Sequence, residues 1–274
     1  MFMLKEETFP LENLSGNLVD IDNARSGSWV AVTGYHDNMD RYRKTLWGTH
    51  IHFADKFYEL EYELRFPTVR SINEKSALVF GTIRNSKSRD EMNAWIINSS
   101  GKVERCFSVN LAVEDILVTK DFIIFTGFDE GPGLNVYDHE GKFLFTYEEV
   151  FGINSISIAD CYAAAVIEKN QIVFCPYTEF PMVLFDIEAK TQEVVKTPKP
   201  FRGFHAITKR GNKIYLHRAY RMELKGYDFG VYEWQMGSEQ GKKIGEYPNH
   251  YTRGLPGGKF LAKNDSGYAI ISVF

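Results

Sequence analysis

The chain has 274 residues, 44% apolar and 25% charged, and Lys+Arg 32 against Asp+Glu 36 leaves a net charge of −4. This balance fits an ordinary globular chain and argues against a dedicated nucleic-acid binder, which carries a basic face. No run approaches 18 apolar residues, and the opening Met1-Phe-Met-Leu-Lys-Glu-Glu turns charged at Lys5. Neither a membrane span nor a secretory signal is therefore expected, and the expected location is cytoplasmic.

Aromatic residues make up 15% of the chain, and 22 glycines accompany them. That combination favours strands and turns over helices. The three cysteines, Cys106, Cys161 and Cys175, are odd in number and irregular in spacing. They form neither a disulfide framework nor a zinc pattern, and buried free thiols are expected.

Read in chain order, the pattern predicts short strands in groups of four. The first group is 17–22, 29–35, 45–53 and 57–65. The second is 68–74, 76–83, 93–98 and 102–109. The third is 116–120, 122–128, 134–138 and 142–147. The fourth is 163–168, 171–177, 182–186 and 193–197. The fifth is 205–209, 213–220, 227–234 and 242–247. A sixth begins at Gly254, continues through 259–264 and 268–274, and then runs out of chain. No helical period of ten or more residues appears.

A recurring turn marks the groups. Asn98-Ser-Ser-Gly-Lys102, Asp138-His-Glu-Gly-Lys142 and Asp186-Ile-Glu-Ala-Lys190 each follow an apolar strand, with looser copies at His52 and Glu233. Spacings of 46, 40, 48 and 47 between these positions match a four-stranded propeller blade. The expected fold is therefore all-β: a six-bladed β-propeller of four-stranded antiparallel blades in one domain, 1–274. The sixth group lacks a strand. The N-terminal segment 3–9 resembles the fourth strands of other groups and is expected to complete the blade at 254–274, closing the ring. An open ring would leave an unpaired strand edge.

This layout resembles the six-bladed β-propeller superfamily and, more loosely, WD-type and kelch-type repeats. The Trp-Asp dipeptide of WD repeats is absent, and the double glycine of kelch occurs once, at Gly257-Gly258. The resemblance covers nearly the whole chain and concerns fold, without pointing to one family. It implies a ligand at the central channel or on the face carrying the loops between second and third strands.

Those loops are long, polar and rich in Arg and Tyr, residue types enriched at protein interfaces. The binding residues expected from them are Tyr35, His36, Asp37, Asp40, Arg41, Tyr42, Arg43, Arg84, Arg89, Asp129, Glu130, Tyr177, Glu179, Arg218, Tyr220 and Arg221. The expected function is a non-enzymatic module engaging a protein partner, as scaffold or inhibitor, with no cofactor and no metal. The alternative is a metal-dependent hydrolase of lactonase or esterase type, or a carbohydrate-active propeller, acting on a small molecule in the channel. Candidate cation ligands would be Asp20, Asp22, Asn23, Asn73, Asn154 and Asp160, and candidate acid–base carboxylates Asp20, Glu74, Glu114 and Glu168. No spacing singles any of them out. His50 and His52 share one face of a strand without an identifiable third ligand.

Overall fold

A strand that is apolar on alternate positions buries one face, whereas the central strands here are apolar on both. In Cys161-Tyr-Ala-Ala-Ala-Val-Ile-Glu168, side chains of opposite parity pack against different neighbouring blades. Ala164 and Val166 join one cluster, while Ala163, Ala165 and Ile167 join the next; Cys161, before a register shift in the strand, joins the former. Stacking sheets radially satisfies both faces.

The computed structural model describes residues 4–23, 28–36, 46–53, 56–83, 92–109, 112–128, 133–177 and 179–274. Strand β1 (Leu4–Pro10) precedes blade one, which holds β2 (Asn17–Asn23), β3 (Trp29–His36), β4 (Leu46–Phe53) and β5 (Lys56–Glu59). Blade two holds β6 (Leu64–Asn73), β7 (Ser76–Ile83), β8 (Ala94–Asn98) and β9 (Val103–Phe107). Blade three holds β10 (Val113–Val118), β11 (Phe122–Gly127), β12 (Leu134–Asp138) and β13 (Phe143–Thr146). Helix α1 (Tyr147–Phe151) then leads to blade four, with β14 (Cys161–Glu168), β15 (Gln171–Pro176), β16 (Met182–Asp186) and β17 (Thr191–Val195). Blade five holds β18 (Phe204–Arg210), β19 (Lys213–Arg221), β20 (Gly226–Gln235) and β21 (Gly241–Glu246). Blade six holds β22 (Thr252–Leu255), β23 (Lys259–Asn264) and β24 (Gly267–Val273).

The molecule is a six-bladed β-propeller, each blade a four-stranded antiparallel sheet. The last sheet has the order β1-β24-β23-β22, so the N-terminal strand completes it. Its register runs from Leu4 opposite Val273 to Pro10 opposite Gly267. Leu4 packs into the cluster between blades five and six, Phe9 stacks on Tyr268 at 4.8 Å, and the Tyr247 hydroxyl donates to Glu6. Six apolar clusters among the described residues fill the six junctions between adjacent blades.

The recurring turn has a local cause. Asn98 Oδ1 accepts from the amides of Ser100 and Lys102, and Asp138 Oδ1 from those of Glu140 and Lys142. These side chains tie down their own hairpin turns. Gly141 has φ +79°, and a Cβ there would overlap the Phe107 ring of the preceding blade. The turn is thus also a contact between blades.

Three local expectations are corrected. The strand predicted over 57–65 stops at Glu59, and Leu64 already opens the next inner strand. Phe66 sits at φ +51° before Pro67, so β6 bends there and continues. The strand predicted to reach Tyr147 ends at Thr146, which caps α1 through its hydroxyl while Glu149 reaches back to the Thr146 amide. Cys106 is exposed on an outer strand, and Cys161 and Cys175 are the buried thiols; all three are free. No helix among the described residues is long and apolar enough to cross a membrane.

The latch generates a test. Removing residues 1–10 should lower the melting temperature by several degrees and bring concentration-dependent association, because the edge of β24 is then unpaired. An unchanged melting temperature in a chain that stays monomeric by light scattering would contradict closure by β1.

Candidate functional site

The six inner strands converge on the axis, and two cavities open from its ends. The lower one, about 310 Å³, is lined by the ends of inner strands, including Asp22, Asn73 and Leu255. The upper one, about 230 Å³, is lined by their beginnings, including Glu114, Tyr162, His205 and Tyr251. Arg70 and Arg253 alone among the lining residues belong to both, so these two side chains form the floor between them.

Arg70 lies in the middle of β6 and is buried. Its Nη1 donates to Asp20 at 2.7 Å and to the Val69 carbonyl at 2.7 Å. Its Nη2 donates to Asp115 at 2.5 Å, and Nε to the Ile116 carbonyl at 2.8 Å. One guanidinium thereby joins blades one, two and three. Burial opposes its charge, but Asp20, Asp115 and Asp22 together outweigh burial and raise its pKa. Arg253 of blade six donates to Asp22 of blade one, and Asp22 also accepts from the Ser71 amide at 2.8 Å. Two of the suggested cation ligands, Asp20 and Asp22, are therefore engaged by arginines. Among the described residues no cluster of three His, Cys, Asp or Glu side chains is arranged to hold a metal.

Above this floor, blades four to six contribute an aromatic collar. The Tyr162 ring lies 4.4 Å from His205, 5.3 Å from Phe180 and 6.0 Å from Tyr177. Tyr227 packs on His205, Tyr220 and His250 at 5.3–5.9 Å. Tyr177 is 54% exposed, Tyr220 48% and Tyr251 63%. Arg218 stands within this collar, its guanidinium 5.5 Å from the Tyr227 ring.

Arg218 is held unusually. It sits at a bulge in the β19–β20 pairing and has φ +58°. A left-handed conformation costs a non-glycine residue roughly 1–3 kcal/mol, and bulges re-aim side chains beside functional sites. Its buried Nε has no hydrogen-bond partner, and neither has Nε2 of His205. Burial lowers the Arg218 pKa. Burial, reinforced by Arg218, pulls His205 down to about 4, so its imidazole is neutral. Glu114 is shifted the opposite way, by desolvation and then by Asp115 and Asp160, with Arg218 opposing.

Of the residues expected at this face, Tyr177, Arg218 and Tyr220 come together in the collar. Tyr35 is exposed on blade one, its ring edge-on to His50 at 6.5 Å. His36 ends β3. Glu179, at φ +59°, lines a separate groove with Pro181, Lys196 and Arg202. Arg221 is turned to its own surroundings: Nη1 donates to the Arg202 carbonyl and Nη2 to the Pro200 carbonyl, Nε lies 4.0 Å from Asp228, and the guanidinium sits over Phe204. Asp37, Asp40, Arg41, Tyr42, Arg43, Arg84, Arg89, Asp129 and Glu130 lie outside the described residues. The sequence reading did not place Tyr162, His205, Tyr227 and Tyr251 here. Glu114, Tyr162 and His205 are each the second residue of an inner strand, which is the signal that finds them.

His52 and His217 are structural. The Thr33 hydroxyl donates to the Ser15 carbonyl and so accepts from His52 Nε2 at 2.9 Å. His217 Nε2 donates to the Tyr247 carbonyl at 2.8 Å, leaving Nδ1 to accept from Thr252 at 2.9 Å.

No protein-family model matches the chain, and no curated protein sequence matches it. Solved structures do. The β-propeller domain of Cps50 (Swd1) from Myceliophteria thermophila aligns with a TM-score of 0.59 at 10% identity, covering 96% of this chain and 85% of that one. The WD40 repeats of RRP9 align at 0.55 and 9% identity, covering 98% and 100%. Virginiamycin B lyase from Staphylococcus aureus aligns at 0.53 and 13% identity, covering 99% and 100%. At such identities these likenesses show a shared fold.

Two measurements follow. Replacing Arg70 by Ala leaves Asp20 and Asp115 facing each other without a cation, and should cost about 3–5 kcal/mol in denaturant unfolding. A loss under 1 kcal/mol would show that the floor is dispensable. Burial lowers both His52 and His217 to about 4, so the unfolded chain binds more protons below its ordinary imidazole pKa. Their contribution is complete above about pH 6.5 and falls away towards pH 4, on the order of 2–3 kcal/mol each. Unfolding free energy should therefore drop between pH 7 and 4, and His217→Gln should flatten that slope. An equally steep slope in the variant would contradict the assignment.

Proposed function

We propose that this propeller is a binding module whose upper face receives a protein partner. The observation that carries the reading is the collar itself: exposed tyrosines grouped around a cavity, with one partly buried, incompletely bonded arginine among them. Aromatic rings and arginine supply most hot spots at protein interfaces, centred on a desolvated anchor. The ionic floor supports binding over channel hydrolysis, since Asp20 and Asp22 already accept from arginines. Placement in a reducing cytoplasm belongs to the same reading. It is supported by free thiols on the neighbouring strands β14 and β15, Cys161 and Cys175.

Photo-crosslinking tests this. A benzoylphenylalanine at Tyr220 or Tyr177 should capture a defined partner, whereas the same group at Phe143, exposed on an outer strand, should not. Arg218→Ala should weaken binding of that partner by about 2 kcal/mol or more, the scale of a central anchor. Equal capture from Phe143, or unchanged affinity in the variant, would overturn the reading.

A further inference from the structure

The upper cavity carries more information than the surface around it. Three of the residues lining it each carry a buried side-chain nitrogen without a hydrogen-bond partner: Arg218 Nε, Arg253 Nε and His205 Nε2. Buried polar groups are nearly always paired, so three unpaired ones on residues around one cavity call for a ligand able to pair them. Two of the three are obligatory donors, which want an acceptor-rich group.

The charge count points the same way. Arg70, Arg218, Arg253 and Lys263 line the cavity, against Asp20, Glu114 and Asp115. Asp20 and Asp115 both accept from Arg70, and Arg253 is balanced by Asp22 below. Among the described residues no carboxylate forms an ion pair with Arg218; Glu114 acts on it only at longer range. Glu114 is itself shifted towards its neutral form. An incoming anion would complete Arg218, whose bulged, left-handed backbone already fixes its position.

Size limits the ligand. About 230 Å³ falls below the roughly 300–1,000 Å³ of sites for drug-sized molecules. A side chain or a small organic acid fits. Arg218 offers one uncompensated positive charge, which balances one carboxylate group and leaves the second charge of a phosphate dianion, carried on the same group, unbalanced.

We propose that the upper cavity is a carboxylate-binding site, with Arg218 as the charged anchor and His205 as a second polar contact. The inference deepens the reading of this face as a docking surface. The carboxylate is either the tip of a partner's acidic side chain or a free small acid.

Calorimetric titration with glutarate, using the full chain, tests the site without any partner. Glutarate should bind in the millimolar range, the neutral glutaramide should not, and inorganic phosphate should bind at least tenfold more weakly. Glutarate should also protect Arg218 from phenylglyoxal at least fivefold, read by mass spectrometry against Arg105 on an outer strand. Arg218→Gln should abolish binding, and His205→Gln should weaken it severalfold. If Arg218→Gln does not fold, protection of the wild-type arginine decides. Absence of both binding and protection, glutaramide binding equal to glutarate, or phosphate binding more tightly would each overturn the proposal. The source is read from acetyl-glutamate methylamide. Binding at least as tight as glutarate assigns the site to a partner's side chain, and preference for glutarate assigns it to a free acid. Failed crosslinking with successful glutarate binding would remove the docking surface and leave the site.

Discussion

The guanidinium of Arg70 is the contact on which the geometry of the axis depends. Three inner strands from three blades meet on one side chain that gives four hydrogen bonds, two to carboxylates and two to carbonyls. Burying a cation is costly, and a buried pair is tolerated only when nearly every polar atom is satisfied. That condition is met here, so Asp20, Asp115 and the strands carrying them have little freedom to shift. The same contact divides the axis: a side chain that must lie between three blades leaves separate spaces above and below.

The opposite side of the ring is held differently. Blades four, five and six approach through small residues, Ala163, Ala164, Ala165 and Ala206, all buried. At Gly254 a Cβ would lie 1.6 Å from the Ile207 carbonyl oxygen, so only glycine permits that approach. Where the walls are small and close at mid-height, bulk can gather only at the rim. Tyr162 precedes the alanine run and His205 precedes Ala206, so these two inner strands are narrow inside and broad at their mouths. The aromatic collar follows from that taper.

Much of the architecture was legible because each repeat carries its own local device. The Asx turns at Asn98 and Asp138 are short-range structures, and a short-range structure shows in a short stretch of sequence. The latch was legible for the opposite reason, as a missing strand at one end and a spare one at the other. The site was less so. Loop polarity flags Tyr177, Arg218 and Tyr220, which meet in the collar, and equally Arg221, whose Nη atoms are spent on the Arg202 and Pro200 carbonyls. Composition cannot separate a donor that is free from one that is used. The inner-strand residues were hidden because a lone Arg70 or His205 in an apolar strand looks the same whether it is structural or functional. Only the positions of its neighbours in other blades, 45–50 residues away in the case of Arg70, distinguish the two.

Stability and recognition meet at adjacent positions of β19. His217 ties its strand to the Tyr247 carbonyl and to Thr252, and so fixes both ends of the connection that delivers His250 and Tyr251 to the mouth. The next residue, Arg218, is turned out of the regular pairing and keeps a donor unspent. The bulge needs the firm hold beside it, since strained backbone persists only where the surroundings over-determine it. His217 is a neutral, doubly bonded imidazole, and Arg218 is a cation lacking a carboxylate partner within ion-pair distance among the described residues. A substitution at 217 would therefore disturb the proposed binding indirectly, by releasing the strained backbone at Arg218. Under the proposed reading, a substitution that keeps the Arg218 backbone and removes its charge acts on recognition alone. That difference would separate a residue that supports the proposed site from one that meets its ligand.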